Sequence, residues 1–381
     1  MAYFDNAATT YPKPESVYAF MESFYRTSGG SAGRGSYSIA QTASELIVDT
    51  RNRIQQLLHC PAKQVVFTPS ATIALNIVIQ GLVNDGMKNF YISPFEHNAV
   101  TRTLHHFENN NSINVFQLPV TSKLEYDLEK TRYQFDDIRP DVVIISHASN
   151  VIGLVAPVEN LFSLAKRYEA ITLLDMAQTA GLIDFNVGSE IVDFAVFAGH
   201  KTLYGPTGIA GFVMRPDISL SPTLFGGTGF ESANQNMPNS LPEKYEIGTQ
   251  NIVGIAGLNA ALKWIEEVSI SNINEKEKRN RAKLIEILSQ YDFLKIIGNE
   301  TEREYVGVVS AVFDSISSDT AGSIFDDLGI SVRSGLQCAP LAHQFLGTFP
   351  SGTVRFSISY FTNDEDFNEL KRALDQINDE L

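Results

Sequence analysis

The chain has 381 residues, 44% of them hydrophobic and 19% charged, which is enough apolar content for a sizeable core and length for two or three domains. Lys and Arg total 29 against 44 Asp and Glu, a net charge of −15, which argues against a broad nucleic-acid or anionic-membrane surface but permits a small basic pocket. Only Cys60 and Cys338 are present, so no disulfide framework is indicated; no run approaches the roughly 18 apolar residues that span a bilayer, and a reducing cytoplasm is the expected setting.

Taken in chain order, short apolar runs at 65–68, 89–93, 113–118, 141–146, 170–174, 194–198 and 209–214 alternate with segments that read as helix or loop. Several are apolar without alternation, as strands covered on both faces are. The pattern predicts an α/β layer with a largely parallel sheet. Beyond residue 250 the texture changes. Residues 254–268 and the highly charged 272–290 read as helices, and 293–297, 306–313 and 353–360 as strands. For the last helix, Thr362 and Glu365 make a capping-box pattern, with Phe367, Leu370, Leu374 and Ile377 following at helical spacing.

In an open α/β sheet, ligands bind outside the carboxyl ends of the strands. Five predicted strands end there on polar residues: Ser70-Ala71-Thr72, Glu96-His97-Asn98, His147-Ala148-Ser149-Asn150, Asp175-Met176-Ala177-Gln178 and His200-Lys201. Ser70-Ala71-Thr72 at a helix start offers free backbone N–H groups to an anion, although an ordinary N-cap has the same appearance. Asp175 fits a helix cap or turn equally well; as a buried carboxylate it would keep a pyridine nitrogen protonated. Lys201 follows a strongly apolar strand among Gly199, Gly205 and Gly208, and a desolvated lysine becomes an amine nucleophile. The segment is not a Walker loop, because His200 stands where glycine is needed, and Gly226-Gly227-Thr228-Gly229 does not complete a dinucleotide fingerprint. His97, His147, His200 and His343 have no paired ligand spacing, so no metal site is expected.

The ordered set Asp5-Asn6-Ala7-Ala8-Thr9-Thr10, Ala71-Thr72, Glu96-His97-Asn98, Ser149-Asn150, Asp175-Met176-Ala177-Gln178, His200-Lys201, Gly248-Thr249 and Arg333-Ser334-Gly335-Leu336-Gln337-Cys338 resembles the class V aminotransferase-fold proteins, in particular the cysteine desulfurase and selenocysteine lyase branch. The resemblance runs nearly end to end. It implies a fold-type I pyridoxal-phosphate enzyme: a large domain at 16–252 with a mostly parallel seven-stranded sheet, a smaller α+β C-terminal domain at 253–381, and an N-terminal segment at 1–15 beside the active site. It also implies that Lys201 carries the cofactor as a Schiff base and moves the substrate Cα proton. By the same resemblance, Asp175 pairs with the pyridine nitrogen, His97 stacks on the ring, and Gln178 and Asn150 approach the ring hydroxyl. Ala71, Thr72 and His200 hold the phosphate, and Thr249 reaches in from a second subunit of a homodimer. Arg355 clamps the substrate carboxylate, with Ala7 and Asn150 also at the substrate.

Strand alternation supports the arginine independently. Val354, Phe356 and Ile358 alternate with Thr353, Arg355, Ser357 and Ser359, so Arg355 points away from the core face, as an exposed strand arginine also would. Cys338 lies in a loop-like stretch near Arg333. A free cysteine is commonly buried and inert; an exposed one beside an arginine can act as a thiolate nucleophile. In the family the cysteine of this loop attacks the sulfur of the cysteine–cofactor adduct, giving alanine and a persulfide that passes to a sulfur acceptor. The short span from Cys338 to Arg355 resembles the group that also cleaves selenocysteine. Ser70 and Gln337 depart from relatives that carry glycine and histidine there. The expected activity is that of an L-cysteine desulfurase, with selenocysteine lyase activity as a companion possibility; another aminotransferase or β-lyase with Cys338 incidental is the alternative, and a non-catalytic scaffold is disfavoured by the presence of Lys201, Asp175 and Arg355. Cys60, at a helix end, reads as structural.

Overall fold

The computed structural model describes residues 1–32, 35, 37–229 and 233–380. The chain opens with a two-residue strand, β1 (Ala2–Tyr3), and two helices, α1 (Glu15–Ser28) and α2 (Ser38–Leu57). Strands and helices then alternate: β2 (Gln64–Thr68), α3 (Ala71–Asn84), β3 (Asn89–Ile92), α4 (Asn98–Asn109), β4 (Asn114–Gln117), α5 (Leu128–Asp137), β5 (Val142–Ser146), α6 (Val158–Arg167), β6 (Ile171–Asp175), β7 (Phe194–Ala198) and β8 (Ala210–Met214). The remainder comprises α7 (Ile252–Val268), α8 (Ile270–Leu288), β9 (Leu294–Ile297), β10 (Val308–Phe313), α9 (Ser318–Asp327), β11 (Ile330–Ser331), α10 (Pro340–Leu346), β12 (Val354–Ser357) and α11 (Asp364–Glu380).

All seven expected apolar runs form one sheet, in the order β2-β8-β7-β6-β5-β3-β4. Only β8 runs against its neighbours β2 and β7; the pairs from β7 to β4 are parallel. The continuous apolar texture has the anticipated cause. In β5, Val142 and Ile144 join a core shared with α3 and α4, while Val143 and Ile145 join a second core shared with α2, α6 and α7.

A smaller antiparallel sheet, β12-β10-β9, packs with the end of α8, with α9 and with α11 around a third core that includes Phe325, Phe356 and Leu370. The first residues of the chain belong here too. β1 pairs in parallel with β11, Asp5 bridges Ser357, and Phe4 packs edge-on against Phe356. The buried face of α7 instead belongs to the core beneath the large sheet, and α8 enters the third core only from Leu284 onward, with Ile287 and Leu288. We place the division between the two units within α8.

The capping box of α11 lies one residue later than the sequence pattern indicated. Asn363 Oδ1 accepts from the backbone N–H of Glu365 and Asp366, and Asp366 Oδ2 accepts from Asn363 N. Thr362 cannot serve, because its buried hydroxyl already accepts from Ser359 N at 3.0 Å. Among the described residues, no helix is long and apolar enough to cross a membrane.

Candidate active site

The carboxyl ends of β2, β3, β5, β6 and β7 share one edge of the sheet, and the five polar segments converge there. A single pocket is lined by Ser70, Ala71 and Thr72 after β2, by His97 after β3, and by Asn150 after β5. Asp175 at the end of β6, Gln178 just beyond it, and His200 and Lys201 after β7 complete it. At its rim, Ser70 caps α3 by accepting from Ile73 N, so it is an N-cap, and the helix it caps opens onto the pocket.

Enclosure sets the electrostatics. Burial pushes the Lys201 ammonium down to about 8, with Asp175 opposing the shift. Burial raises the carboxyl of Asp175, whose Oδ1 accepts from Ala177 N at 2.9 Å. Burial, and then the positive Lys201 and Arg355, hold His97 down to about 4. The imidazole of His97 is therefore neutral near pH 7, and its Nδ1 accepts from Ala99 N as the cap of α4. Burial also takes His200 down to about 4, and its Nδ1 is a buried atom with no partner.

Arg355 lies on the strand face opposite Val354 and Phe356, as alternation predicted, yet it is only 3% exposed. Its Nη1 donates to Asn150 O at 2.9 Å, its Nη2 donates to Asp5 Oδ1 at 2.7 Å, and its Nε is buried without a partner. Ala7 sits in the same strap as Asp5. Its N–H donates to Ser357 Oγ, and its carbonyl accepts from Gln178 Nε2 at 3.0 Å. Three donors of this strap also meet His200 O: Thr9 Oγ1, Thr10 N and Lys13 Nζ, the last at 2.6 Å.

Cys338 is exposed, whereas Cys60 is buried. Gln337 and Cys338 both have left-handed backbones, with φ of 41° and 57°. Cys338 O accepts from Asn98 N at 2.7 Å, and Gln337 O accepts from Asn150 Nδ2 at 2.6 Å. The thiol residue borders a groove of about 510 Å³ between α3 and α4, which shares Thr72, His97 and Ala99 with the Lys201 pocket. Thr249 is the one expected site residue that stands apart. Within one chain it lines two other cavities, with Ile247 and Gln250 and with Gly227 and Thr228. Among the described residues, no three His, Cys, Asp or Glu side chains are grouped to hold a metal.

Sequence reasoning overlooked the role of Glu96. It is fully buried beside the pocket, and its Oε1 accepts from Ser93 Oγ and Ser146 N, each at 2.6 Å. Ser146 Oγ donates to Oε2 at 2.8 Å, so the carboxylate ties the end of β3 to the end of β5. A charged residue three positions after the apolar run 89–93 was the available signal.

Residues 2–370 match the family model described as aminotransferase class-V. The chain belongs to the class-V aminotransferase family. Within that family it is 30% identical over 377 residues to a probable cysteine desulfurase of Mycobacterium leprae, covering 96% of this chain and 89% of the relative. A probable cysteine desulfurase of Vibrio cholerae is 28% identical, covering 98% and 93%. The solved apo structure of a cysteine desulfurase from Thermococcus onnurineus superposes with a TM-score of 0.90 at 27% identity, covering all of this class-V chain and 95% of that one.

Proposed function

We propose that this class-V chain is a pyridoxal-phosphate-dependent cysteine desulfurase that converts L-cysteine to L-alanine and takes the sulfur onto Cys338 as a persulfide. The observation that carries the reading is the exposed Cys338, held on a left-handed turn beside the pocket that contains Lys201. The desulfurases among the similar proteins support it.

The residues present fit the cofactor. A buried carboxylate at Asp175, a desolvated amine at Lys201 and the unpartnered Nδ1 of His200 beside the open end of α3 suit a phosphorylated pyridine aldehyde. Ala71, Thr72 and His200 would hold the phosphate, His97 would pack against the ring, and Asp175 would sustain a proton on the ring nitrogen. Asn150 and Gln178 keep polar atoms free for the ring hydroxyl after donating to Gln337 O and Ala7 O. When bound, the cofactor supplies an electron sink for the pair released at the substrate Cα.

The chain supplies the rest. Arg355 offers its unpartnered Nε, together with the guanidinium edge left free by Asp5 and Asn150, to the substrate carboxylate. Ala7 and Asn150 flank that position. Lys201 takes the Cα proton, for which an amine near 8 is suited. The Cys338 thiolate then bonds to the substrate sulfur as the sulfur–Cβ bond breaks. The bonding pair stays with Cβ, which is protonated, Lys201 returns its proton to Cα to complete alanine, and the sulfur remains on Cys338. An acceptor thiol removes it.

Thr249 lies outside the pocket of its own chain, which supports a homodimer in which it serves the partner's site. The short Cys338–Arg355 span extends the proposal to L-selenocysteine. Purified, cofactor-loaded protein given L-cysteine and a thiol reductant should release alanine and sulfide in equal amounts, and Cys338→Ala should release neither. A transaminase with an incidental cysteine would keep converting its amino acid after that substitution.

A further inference from the structure

The residue before the nucleophile turns inward. Gln337 is 7% exposed, and its side chain lies beneath the Cys338 loop within a closed set of hydrogen bonds. Its Nε2 donates to Thr353 O at 2.9 Å and to Arg333 O at 3.3 Å. Its Oε1 lies 2.9 Å from His343 Nε2 and 3.2 Å from Thr353 Oγ1. His343 is fully buried in α10, and its Nδ1 lies 2.7 Å from Thr348 Oγ1. Burial takes that imidazole down to about 4, so it is neutral and carries a single ring proton. Because Gln337 spends its donors on two carbonyls, its Oε1 needs a donor. That places the His343 proton on Nε2 and makes Nδ1 the acceptor for Thr348.

Two consecutive non-glycine residues with φ of 41° and 57° form an unfavourable backbone, which persists only where its surroundings over-determine it. The Gln337 hub supplies that restraint from below, and the Asn98 and Asn150 contacts supply it from the sides. We propose that Gln337 and His343 are positioning residues that hold Cys338 in the left-handed turn from which its thiol meets the substrate sulfur. The inference rests on the desulfurase reading for its consequence in turnover, but not for its effect on the thiol itself. It also assigns the Gln337 side chain no proton-transfer role at the substrate, since its amide is consumed within the loop.

The test uses cofactor-loaded protein and three variants: Gln337→Ala, His343→Leu and His343→Gln, the last retaining an amide donor toward Gln337 Oε1. Cys338 alkylation by iodoacetamide is followed by peptide mass, with buried Cys60 as the internal control, and persulfide formation is followed in a single turnover with L-cysteine. Loss of the hub should change the alkylation rate about threefold or more and slow persulfide formation about tenfold, the scale of one or two hydrogen bonds. Cofactor absorbance and KM for L-cysteine should stay within about twofold, and His343→Gln should recover most of what His343→Leu loses. If Gln337→Ala does not fold, the His343 pair decides alone. Alkylation and persulfide rates unchanged in His343→Leu, or equal losses in His343→Leu and His343→Gln, would overturn the proposal. Parent protein that releases no alanine while the alkylation differences persist would count against the desulfurase reading and leave the positioning role standing.

Discussion

Asp5 Oδ1 and Arg355 Nη2 lie 2.7 Å apart although 350 residues separate them in the chain. The same carboxylate comes within 3.7 Å of Arg333 through Oδ2. A guanidinium that is 3% exposed is thus steered by a residue of the N-terminal strap rather than by its own domain. Its free Nε is left as the donor with nothing else to bind.

Asp5→Asn should therefore loosen Arg355 and raise KM for L-cysteine about tenfold while lowering kcat less than about threefold, the effect of weakening one charge-assisted hydrogen bond. Steady-state kinetics with cofactor absorbance as a loading control would show it. An unchanged or lower KM would mean that Asp5 competes with the substrate instead of orienting its receptor.

Lys201→Ala removes the amine that burial holds near 8. The absorbance of covalently held cofactor should vanish, and alanine release should fall by about a thousandfold or more, as for loss of both a nucleophile and a proton shuttle. A surviving covalent adduct, found by mass after borohydride reduction, would show that another lysine does this work.

Asp175→Asn preserves shape and the contact to Ala177 N but removes the carboxylate. Turnover should fall about 10²- to 10³-fold, with a smaller loss of affinity for pyridoxal phosphate measured by fluorescence titration. Turnover within twofold of the parent would sink the assigned role.

A buried carboxyl outside the pocket predicts a pH effect on stability. Glu277 of α8 accepts a hydrogen bond from Tyr204 at 3.2 Å, and burial pushes it up from 4.5 to about 8. With its folded value raised, its contribution is whole below about 4.5 and is lost as pH rises through about 8. Glu277→Gln keeps an acceptor for Tyr204 and has no charge to bury. Its advantage in stability, read from melting curves, should grow between pH 5 and pH 8.5, reaching on the order of 2–4 kcal/mol. Melting curves offset equally at both pH values would remove Glu277 as the cause.

The large sheet was legible because each of its strands is an apolar run with a turn signal after it, a property local to a few residues. The convergence of Thr72, His97, Asp175 and Lys201 followed from the rule that parallel strands deliver their ends to one edge. The two-residue strands β1 and β11 were not legible. Each is too short for periodicity to register, and their pairing depends on residues more than three hundred positions apart. Nor were Asp5 on Arg355, 350 positions apart, and Gln178 on Ala7, 171 apart, legible, because both are products of tertiary docking. The Thr362 pattern misled because a buried hydroxyl with a nearby amide is claimed before the helix can use it.

The strap also bears on how the protein is born. Residues 2–10 leave the ribosome long before β11, Arg355 or Ser357 is synthesised, and they have no sheet to join until then. The seven-stranded layer needs nothing beyond residue 214 for its own hydrogen bonding and can close early in translation. The Asp5–Arg355 pair can therefore form only when the last tenth of the chain emerges. The sheet pairing of the strap is thus among the last contacts of the fold to form, although its residues are the first to be made.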